Sequence, residues 1–252
     1  MPSARRISPM LAAFVIMSGG TLATPAAAQQ PEAPGWQFTF IPYVWASAFQ
    51  GRIGVGPAVT DVDLSFGDII DHADFALMGV FEARKERWIG LLDGFYVGLS
   101  ADTTASIPTG TTLRLDQDQV MLQPAMGYTL LVRPWGGLDA LGGIRYWHVS
   151  TTLSAAGVGQ ATQTASKGWV DGAVGARLRY SPGPRWHLFA LGDVGAGGSD
   201  FTWQASGGVG FDVASCCTIL AGYRHLDVDY ESDGFVNDTY MSGPDLGFGF
   251  RF

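Results

Sequence analysis

Two pairs of residues in the sequence have the types and spacing that hydrolytic chemistry requires. His148 and Ser150 lie two apart in an alternating segment, and so do His225 and Asp227. Because side chains two apart in a strand share a face, each pair can bring an imidazole beside its partner. A serine nucleophile also needs an acid that orients the imidazole, and the segment after the first pair contains Asp171 as its one acid. We therefore expect no catalysis at either pair, and a hydrolase that uses one of these two histidines is the alternative.

The other histidines and the cysteines indicate no metal or cofactor site. His72 and His187 are isolated in the sequence and lack the spacing of metal ligands, so we expect neither a metal nor a cofactor. Cys216 and Cys217 are adjacent. The favoured interpretation of this pair is two small residues in a turn, and a vicinal disulfide or a reactive thiol pair is the alternative.

The first 28 residues have the three-part pattern of a secretory signal peptide. Arg5 and Arg6 precede an apolar run from Met10 to Met17, and a series of alanines ends at Ala28. This pattern predicts cleavage after Ala28 and export from the cytoplasm. Removing residues 1–28 takes away two positive charges, so the formal net charge changes from −8 to −10. Such an acidic chain argues against nucleic acid as a partner.

The rest of the sequence indicates an all-β membrane protein. Hydrophobic residues make up 47% of the chain and charged residues 15%, yet no stretch after the signal peptide has about 18 consecutive apolar residues. Ten strand-like segments follow, with tight turns alternating with longer links, as in transmembrane barrels with short periplasmic turns. We predict a short leader over 29–35 and a closed, antiparallel, up-and-down β-barrel of about ten strands over 36–252. A secreted β-sandwich is the alternative.

Clean alternation in several segments predicts which side chains line the lumen. Asp171, Arg177 and Arg179 lie opposite an apolar face in one segment, and Asp212 does so in another. A charged side chain facing lipid at the midplane costs about 2–4 kcal/mol, so these residues should face inward. Open channels appear near 16 strands, whereas a lumen of about ten strands is narrow. We expect ion pairs to fill most of it.

The eight tryptophans predict two aromatic girdles at the membrane interfaces. Four lie beside predicted periplasmic ends and four toward the outer ends, respectively Trp36, Trp88, Trp135 and Trp186, and Trp45, Trp147, Trp169 and Trp203.

The long first link, residues 50–73, has structure of its own. Ser65 followed by Asp68 is typical of a helix N-terminus, and it predicts a short helix through Ile69, Ile70 and His72. Either this helix caps or partly enters the barrel, or it belongs to an extracellular hairpin. If residues 51–64 form a spanning hairpin, the strand count becomes twelve.

Several stretches together resemble one family, the small bacterial outer-membrane β-barrel proteins of the outer-membrane protein A/W-like type without a periplasmic domain. The stretches are Trp36–Trp45, Asp63–Asp71, Phe75–Arg84, Gly222–Tyr230 and Ser242–Phe252. The resemblance implies a monomeric barrel in the bacterial outer membrane, in contact with lipid and lipopolysaccharide. It transfers no active site. We expect a structural, surface-interaction or narrow-passage role without catalysis.

The closing strand carries an assembly signal if this resemblance holds. Phe248, Phe250 and Phe252 alternate with small or polar residues. In the family, a terminal aromatic strand is recognised by the outer-membrane barrel assembly machinery, which is the expected partner.

The enzymatic alternative also rests on resemblance to known families. His148 and Ser150 are similar to the His-x-Ser of lipid A deacylase barrels, and the second pair, at His225, resembles the rim residues of omptin proteases.

Overall fold

A computed structural model describes residues 35–56, 58–68, 73–103, 112–156 and 161–252. The predicted signal peptide and all but the last residue of the predicted leader lie outside the described residues. No helix in the described ranges is long and apolar enough to cross a membrane.

Strands make up nearly all of the described chain. There are twelve among the described residues: β1 (Gln37–Trp45), β2 (Ala48–Val55), β3 (Ala58–Leu64), β4 (Ala73–Lys85), β5 (Trp88–Thr103), β6 (Thr112–Arg133), β7 (Gly136–Ala156), β8 (Ala161–Tyr180), β9 (Trp186–Gly197), β10 (Phe201–Ala214), β11 (Cys217–Ser232) and β12 (Phe235–Arg251). Alternation of apolar with small or polar residues produces them, since each strand has two faces with different surroundings.

Ten of these strands close into a ring. Strands β4 to β12 pair antiparallel in chain order, and β1 pairs with both β4 and β12. At the seam, the amide N–H of Phe38 donates to the carbonyl of Phe252 at 3.1 Å, and the reverse bond measures 3.0 Å. The prediction of a closed, antiparallel barrel of ten strands is confirmed.

The first link forms a hairpin outside the ring. Strand β2 pairs with the outer half of β12, from Ser242 to Phe235, and β3 pairs with β2. The hairpin therefore exists but adds no strand to the barrel, so the count of twelve spanning strands is wrong. Gly243 on β12 lies where the chain passes from β1 to β2. A side chain at this position would collide with the carbonyl of Ala46, so glycine allows the close approach.

The predicted helix begins where the sequence places its cap. Residues 66–68 are helical, and the Ser65 Oγ and Asp68 carboxylate exchange hydrogen bonds with each other's backbone N–H, at 3.3 and 2.9 Å. This reciprocal arrangement is a capping box. The continuation through Ile69, Ile70 and His72 lies outside the described residues.

An apolar band on the outer surface has the height of a bilayer core. On β8 the outward side chains are apolar from Tyr180 to Val170 and polar at Ser166 and Thr164. Ten steps of about 3.4 Å at a tilt of about 45° rise about 24 Å, close to the ~25 Å apolar band of membrane barrels. The remainder of β8 therefore projects beyond the apolar band at the end away from the short turns, which we call the outer end. The opposite end is the periplasmic end.

One of the two predicted tryptophan girdles is present. Trp36, Trp88, Trp135 and Trp186 are exposed at the periplasmic end. The outer girdle is wrong for three of its four members, because Trp45, Trp147 and Trp169 are buried inside the barrel. Strand parity explains the difference. Each of the three occupies an inward position between two outward residues, and position along the strand alone does not give the face.

A charge inside the apolar band should destabilise the barrel. Val174 lies near the middle of the band and is 65% exposed. We expect Val174→Arg to lower the free energy of unfolding by about 2–4 kcal/mol, because it places a charge against hydrocarbon. Denaturant unfolding of the barrel refolded into phospholipid vesicles measures this. The control, Thr164→Arg, lies on the same face of the same strand beyond the band and should cost less than about 1 kcal/mol. Equal losses in the two variants would show that the band is misplaced.

Candidate functional site

The lumen contains a buried ionic network at its middle level. Its centre is Arg145, which is fully buried and donates to Gln123 Oε1 at 3.1 and 3.0 Å, to Thr202 Oγ1 at 2.7 Å and to Asp193 Oδ1 at 2.5 Å. We call the set the middle network: Tyr43, Asp93, Gln123, Arg145, Asp193, Thr202, Gln204 and Arg224. A second ion pair in it joins Arg224 to Asp93 at 2.7 Å. Each guanidinium is therefore matched by a carboxylate, which is what burial of charge requires.

A second network lies nearer the periplasmic end. Asp139 is fully buried and accepts hydrogen bonds from Arg177 at 3.2 Å, from Arg179 at 2.9 and 3.0 Å, and from Thr129 at 2.8 Å. Arg177 also donates to Glu82 at 2.6 Å. We call this set the periplasmic network: Glu82, Arg84, Thr129, Asp139, Arg177 and Arg179. Its three arginines and two acids give it an excess of one positive charge.

The structure separates the four predicted lumen residues. Arg177 and Arg179 belong to the periplasmic network, whereas Asp171 lies higher and accepts the backbone N–H of Ser199 at 2.7 Å, in the turn between β9 and β10. Asp212 lies at the periplasmic end of β10.

Aromatic rings fill much of the outer half of the lumen, together with buried uncharged polar side chains such as Gln117, Gln119 and Asn237, which differs from the expectation that ion pairs fill it. Six aromatic rings pack one against the next at this level, and we call them the aromatic layer: Trp45, Phe95, Trp147, Trp169, Tyr230 and Phe235. Between successive rings in this order, the centroids are 6.1, 5.9, 5.9, 3.9 and 6.1 Å apart. Buried side chains of the β2 hairpin, Phe49 and Ile53, join the same cluster, and part of β2 lies within 8 Å of β8 (Cα–Cα). The layer and the hairpin side chains therefore pack as one cluster at the outer end.

The two histidine pairs predicted from sequence lie on the outer surface. His148 Nε2 is 3.3 Å from the hydroxyl of Ser166 on the neighbouring strand, and that contact joins it to a different serine from Ser150. His225 lies between the rings of Trp203 and Tyr240, at 4.6 and 5.5 Å. Asp227 follows two residues along on the same face. Neither pair lines the lumen.

Beside the outer end, Lys167 links β8 to the turn between β11 and β12. Its Nζ lies 3.0 Å from Asp233 Oδ2. This hydrogen bond lowers the pKa of the exposed Asp233 carboxyl below its ordinary value. The contact ties two projecting parts of the barrel together.

A cavity of about 350 Å³ occupies the lumen between the middle and periplasmic networks. Its walls are mostly apolar, with side chains from many strands, including Ile41, Val80, Leu91, Leu141, Phe189, Leu191 and Leu220. Arg177 and Arg179 also line it. Toward the periplasmic end it reaches Ser181 and His187, at the turn between β8 and β9.

Ser181, His187 and Asp212 form a hydrogen-bonded chain at this end of the cavity. Ser181 Oγ is 3.2 Å from His187 Nδ1, and His187 Nε2 is 2.6 Å from Asp212 Oδ2. Asp212 in turn accepts a hydrogen bond from Thr218 at 2.6 Å and pairs with Arg251. The interpretation of His187 as isolated is therefore wrong. The contact between Ser181 and His187 could have been predicted by extending the strand register toward the tight turn. Tyr180 pairs with Leu188, so Ser181 and His187 are the next residues in register.

The adjacent cysteines are joined in the structure. Cys216 and Cys217 form a disulfide in the turn between β10 and β11, which differs from the favoured interpretation as unlinked turn residues. The carbonyl of Cys216 accepts the N–H of Arg251 at 2.7 Å. Within the described ranges no group of three or more histidine, cysteine or acidic residues could hold a metal ion.

The middle network should respond strongly to loss of one partner. We expect Arg145→Met to reduce the free energy of unfolding by about 3–5 kcal/mol, because Asp193 is left buried without its cation. Adding Asp193→Leu should recover most of that loss. A double-mutant cycle by denaturant unfolding in vesicles measures both effects. The exposed pair Arg114–Asp116, at 3.2 Å, is the control and should show a coupling below about 1 kcal/mol. A similar coupling in the two pairs would contradict the assignment.

Comparison with known proteins places the fold. No protein-family model matches the chain, and no curated protein matches its sequence. Among solved structures, the outer-membrane protease OmpT from Escherichia coli aligns with a TM-score of 0.56 and 11% identity, over 87% of this chain and 97% of that chain. The transport unit of the autotransporter AIDA-I from Escherichia coli aligns with a TM-score of 0.50 and 8% identity, over 91% and 93%.

A third structure, the translocator domain of the autotransporter NalP from Neisseria meningitidis, has a TM-score of 0.47 and 14% identity, over 88% of this chain and 90% of that chain. Identities this low show the fold alone. The chain has the fold of the outer-membrane β-barrel proteins.

Proposed function

We propose that this protein is an integral barrel of the bacterial outer membrane that is closed to solutes and has a structural or surface-interaction role. The observation that carries the proposal is the aromatic layer, in which Trp147 is fully buried. Ten strands enclose little space, and large side chains on many of them occupy it. The narrow-passage role expected as one possibility from the sequence is therefore the least supported.

The middle network is a second barrier to ions. A cation or anion at this level would have to compete with the existing pairs, in which Arg145 and Arg224 are each hydrogen-bonded to buried partners. Breaking such a pair leaves an uncompensated charge in a region of low dielectric, at a cost of about 3–5 kcal/mol. The two barriers lie at different levels, so opening one does not open the lumen.

The outer ends of β7 and β8 provide a surface for interaction. Apart from His148, their outward side chains beyond the apolar band are mostly small hydroxyl residues, and Thr152 and Thr164 are hydrogen-bonded across the strands at 3.1 Å. Such a polar, ordered wall fits contact with the polar head groups of lipopolysaccharide better than with acyl chains. In this proposal the apolar band contacts membrane lipid, the exported protein reaches the membrane through the barrel assembly machinery, and it acts as a monomer.

We also propose that the outer-rim histidines have no catalytic part. His148 and His225 face away from the lumen, and neither lines the lumen cavity, so a substrate there would lack that enclosure. A hydrolase built on either histidine is the less supported alternative.

Conductance in a planar lipid bilayer tests closure directly. We expect the folded protein to show no steady single-channel current. Trp147→Ala combined with Trp169→Ala should introduce brief openings, because it removes two indoles from the aromatic layer. The matched control is Trp203→Ala, which removes an indole from the outward face and should leave the barrier closed.

Steady conductance of the unchanged protein would contradict the proposal and favour a narrow passage. A heat-modifiability gel establishes that each variant is folded before it is inserted.

A further inference from the structure

We propose that Ser181, His187 and Asp212 form a hydrolytic site for esters with a single acyl chain, entered from the periplasmic end. The proposal goes beyond a closed barrel, since it concerns the part of the lumen below both barriers. It rests on three observations: the hydrogen-bonded chain, the fixed position of its acid, and the apolar cavity that its serine and histidine line.

The hydrogen bonds determine which ring nitrogen carries the proton. A carboxylate can only accept, so His187 Nε2 donates to Asp212 Oδ2 across 2.6 Å. In the neutral imidazole with this tautomer, Nδ1 is the acceptor, and it faces Ser181 Oγ at 3.2 Å, where it can accept the hydroxyl proton. This is the arrangement of nucleophile, base and orienting acid that defines a serine hydrolase site, with the two ring nitrogens exchanged relative to chymotrypsin.

Surrounding strands hold all three residues in place. Thr218 on β11 and Arg251 on β12 both contact the Asp212 carboxylate, and Arg251 also donates to Thr218 Oγ1 at 2.7 Å. Ser181 is tied by its backbone N–H to the carbonyl of Trp135 at 2.6 Å. A site on strand ends with such anchors keeps its geometry before substrate arrives, which catalysis requires.

The cavity indicates the class of substrate. Its volume of about 350 Å³ falls in the range of small-molecule sites, roughly 300–1,000 Å³, and its walls are mainly aliphatic side chains. An acyl chain fits such walls, with its ester carbonyl at Ser181 and His187. Arg177 and Arg179 line the same cavity and give the periplasmic network its excess positive charge. Both guanidinium groups are held by buried acids, Arg177 by Glu82 and Asp139 and Arg179 by Asp139.

The reaction is an ester hydrolysis in two stages. Ser181 Oγ bonds to the carbonyl carbon while His187 Nδ1 takes the hydroxyl proton. The carbon–oxygen bond to the alcohol then breaks, and His187 returns the proton to the departing oxygen. In the second stage His187 takes a proton from water, the hydroxide adds to the acyl carbon, and Ser181 leaves and recovers its proton. One ester and one water give one acid and one alcohol. Asp212 is a positioning residue throughout.

The chain contains its own comparison pair. Ser166 and His148 make an equivalent contact at 3.3 Å, but on the outer surface, with no cavity and with no carboxylate bonded to that histidine in the described residues. A serine–histidine contact by itself should therefore be inert, and the periplasmic chain should not.

The test uses the full protein folded in lipid nanodiscs, which avoid detergent in the cavity. An alkyl fluorophosphonate labels activated serines, and peptide mass spectrometry locates the label. Turnover is measured with p-nitrophenyl esters from acetate to decanoate. We expect labelling at Ser181 and a kcat/KM that rises with chain length. Ser181→Ala and His187→Gln should each reduce kcat/KM by at least about 100-fold. Asp212→Asn should lower kcat with little change in KM, and Ser166→Ala should change neither.

Absence of labelling together with turnover no higher than in empty nanodiscs would overturn the proposal. So would turnover that survives Ser181→Ala, or an equal loss in Ser166→Ala. A heat-modifiability gel confirms folding, and if Asp212→Asn does not fold, the serine and histidine variants decide the outcome alone. Bilayer conductance is a separate measurement, so failure of the hydrolytic site and failure of barrel closure are distinguishable.

Discussion

Every backbone N–H and C=O in a membrane-spanning strand must find a partner in the protein, because the hydrocarbon core offers none. Here that constraint is met by closing β1 against β12, with Phe38 and Phe252 joined by two backbone hydrogen bonds. Ten strands form the closed ring, and this small number makes the lumen narrow. Alternating faces then direct every second side chain into it. The ionic networks, the aromatic layer and the cavity are all consequences of what those inward positions carry.

The levels of the lumen differ because the cost of burial differs. Charged side chains can be buried only in matched sets, so Arg145 and Arg224 occur with Asp93 and Asp193. Apolar side chains carry no such requirement and pack freely, as around Trp147. Between the two networks the inward residues are aliphatic or small. Too little side-chain volume is supplied there to fill the ring, and a cavity remains.

Alternation in the sequence was enough to predict the fold and much of the facing, because the period of a strand is two whatever its tertiary partners. The predicted facing was wrong for tryptophans that were assigned by their position along the strand and not by whether they occupy an odd or an even place in the alternation. Trp147 lies toward the outer end of its strand, as predicted, but between the outward residues Tyr146 and His148, so it faces inward. The prediction that residues 51–64 add two spanning strands is wrong for another reason. The alternation of these residues is genuine, yet whether a hairpin joins the ring depends on which edge it pairs with, and that is a long-range property.

Contacts between strand ends were the least accessible to sequence, and the candidate site consists of them. Ser181 and His187 lie on either side of one turn, but Asp212 reaches the histidine only through the register of β9 against β10. This contact matters because of where it lies in the lumen, beside the cavity near the periplasmic end. Aromatic rings occupy the outer half of the lumen and ion pairs occupy its middle, and the cavity lies between the middle and periplasmic networks. The histidine that the sequence left isolated lies at its mouth, whereas the two that the sequence singled out face outward, where nothing encloses a substrate.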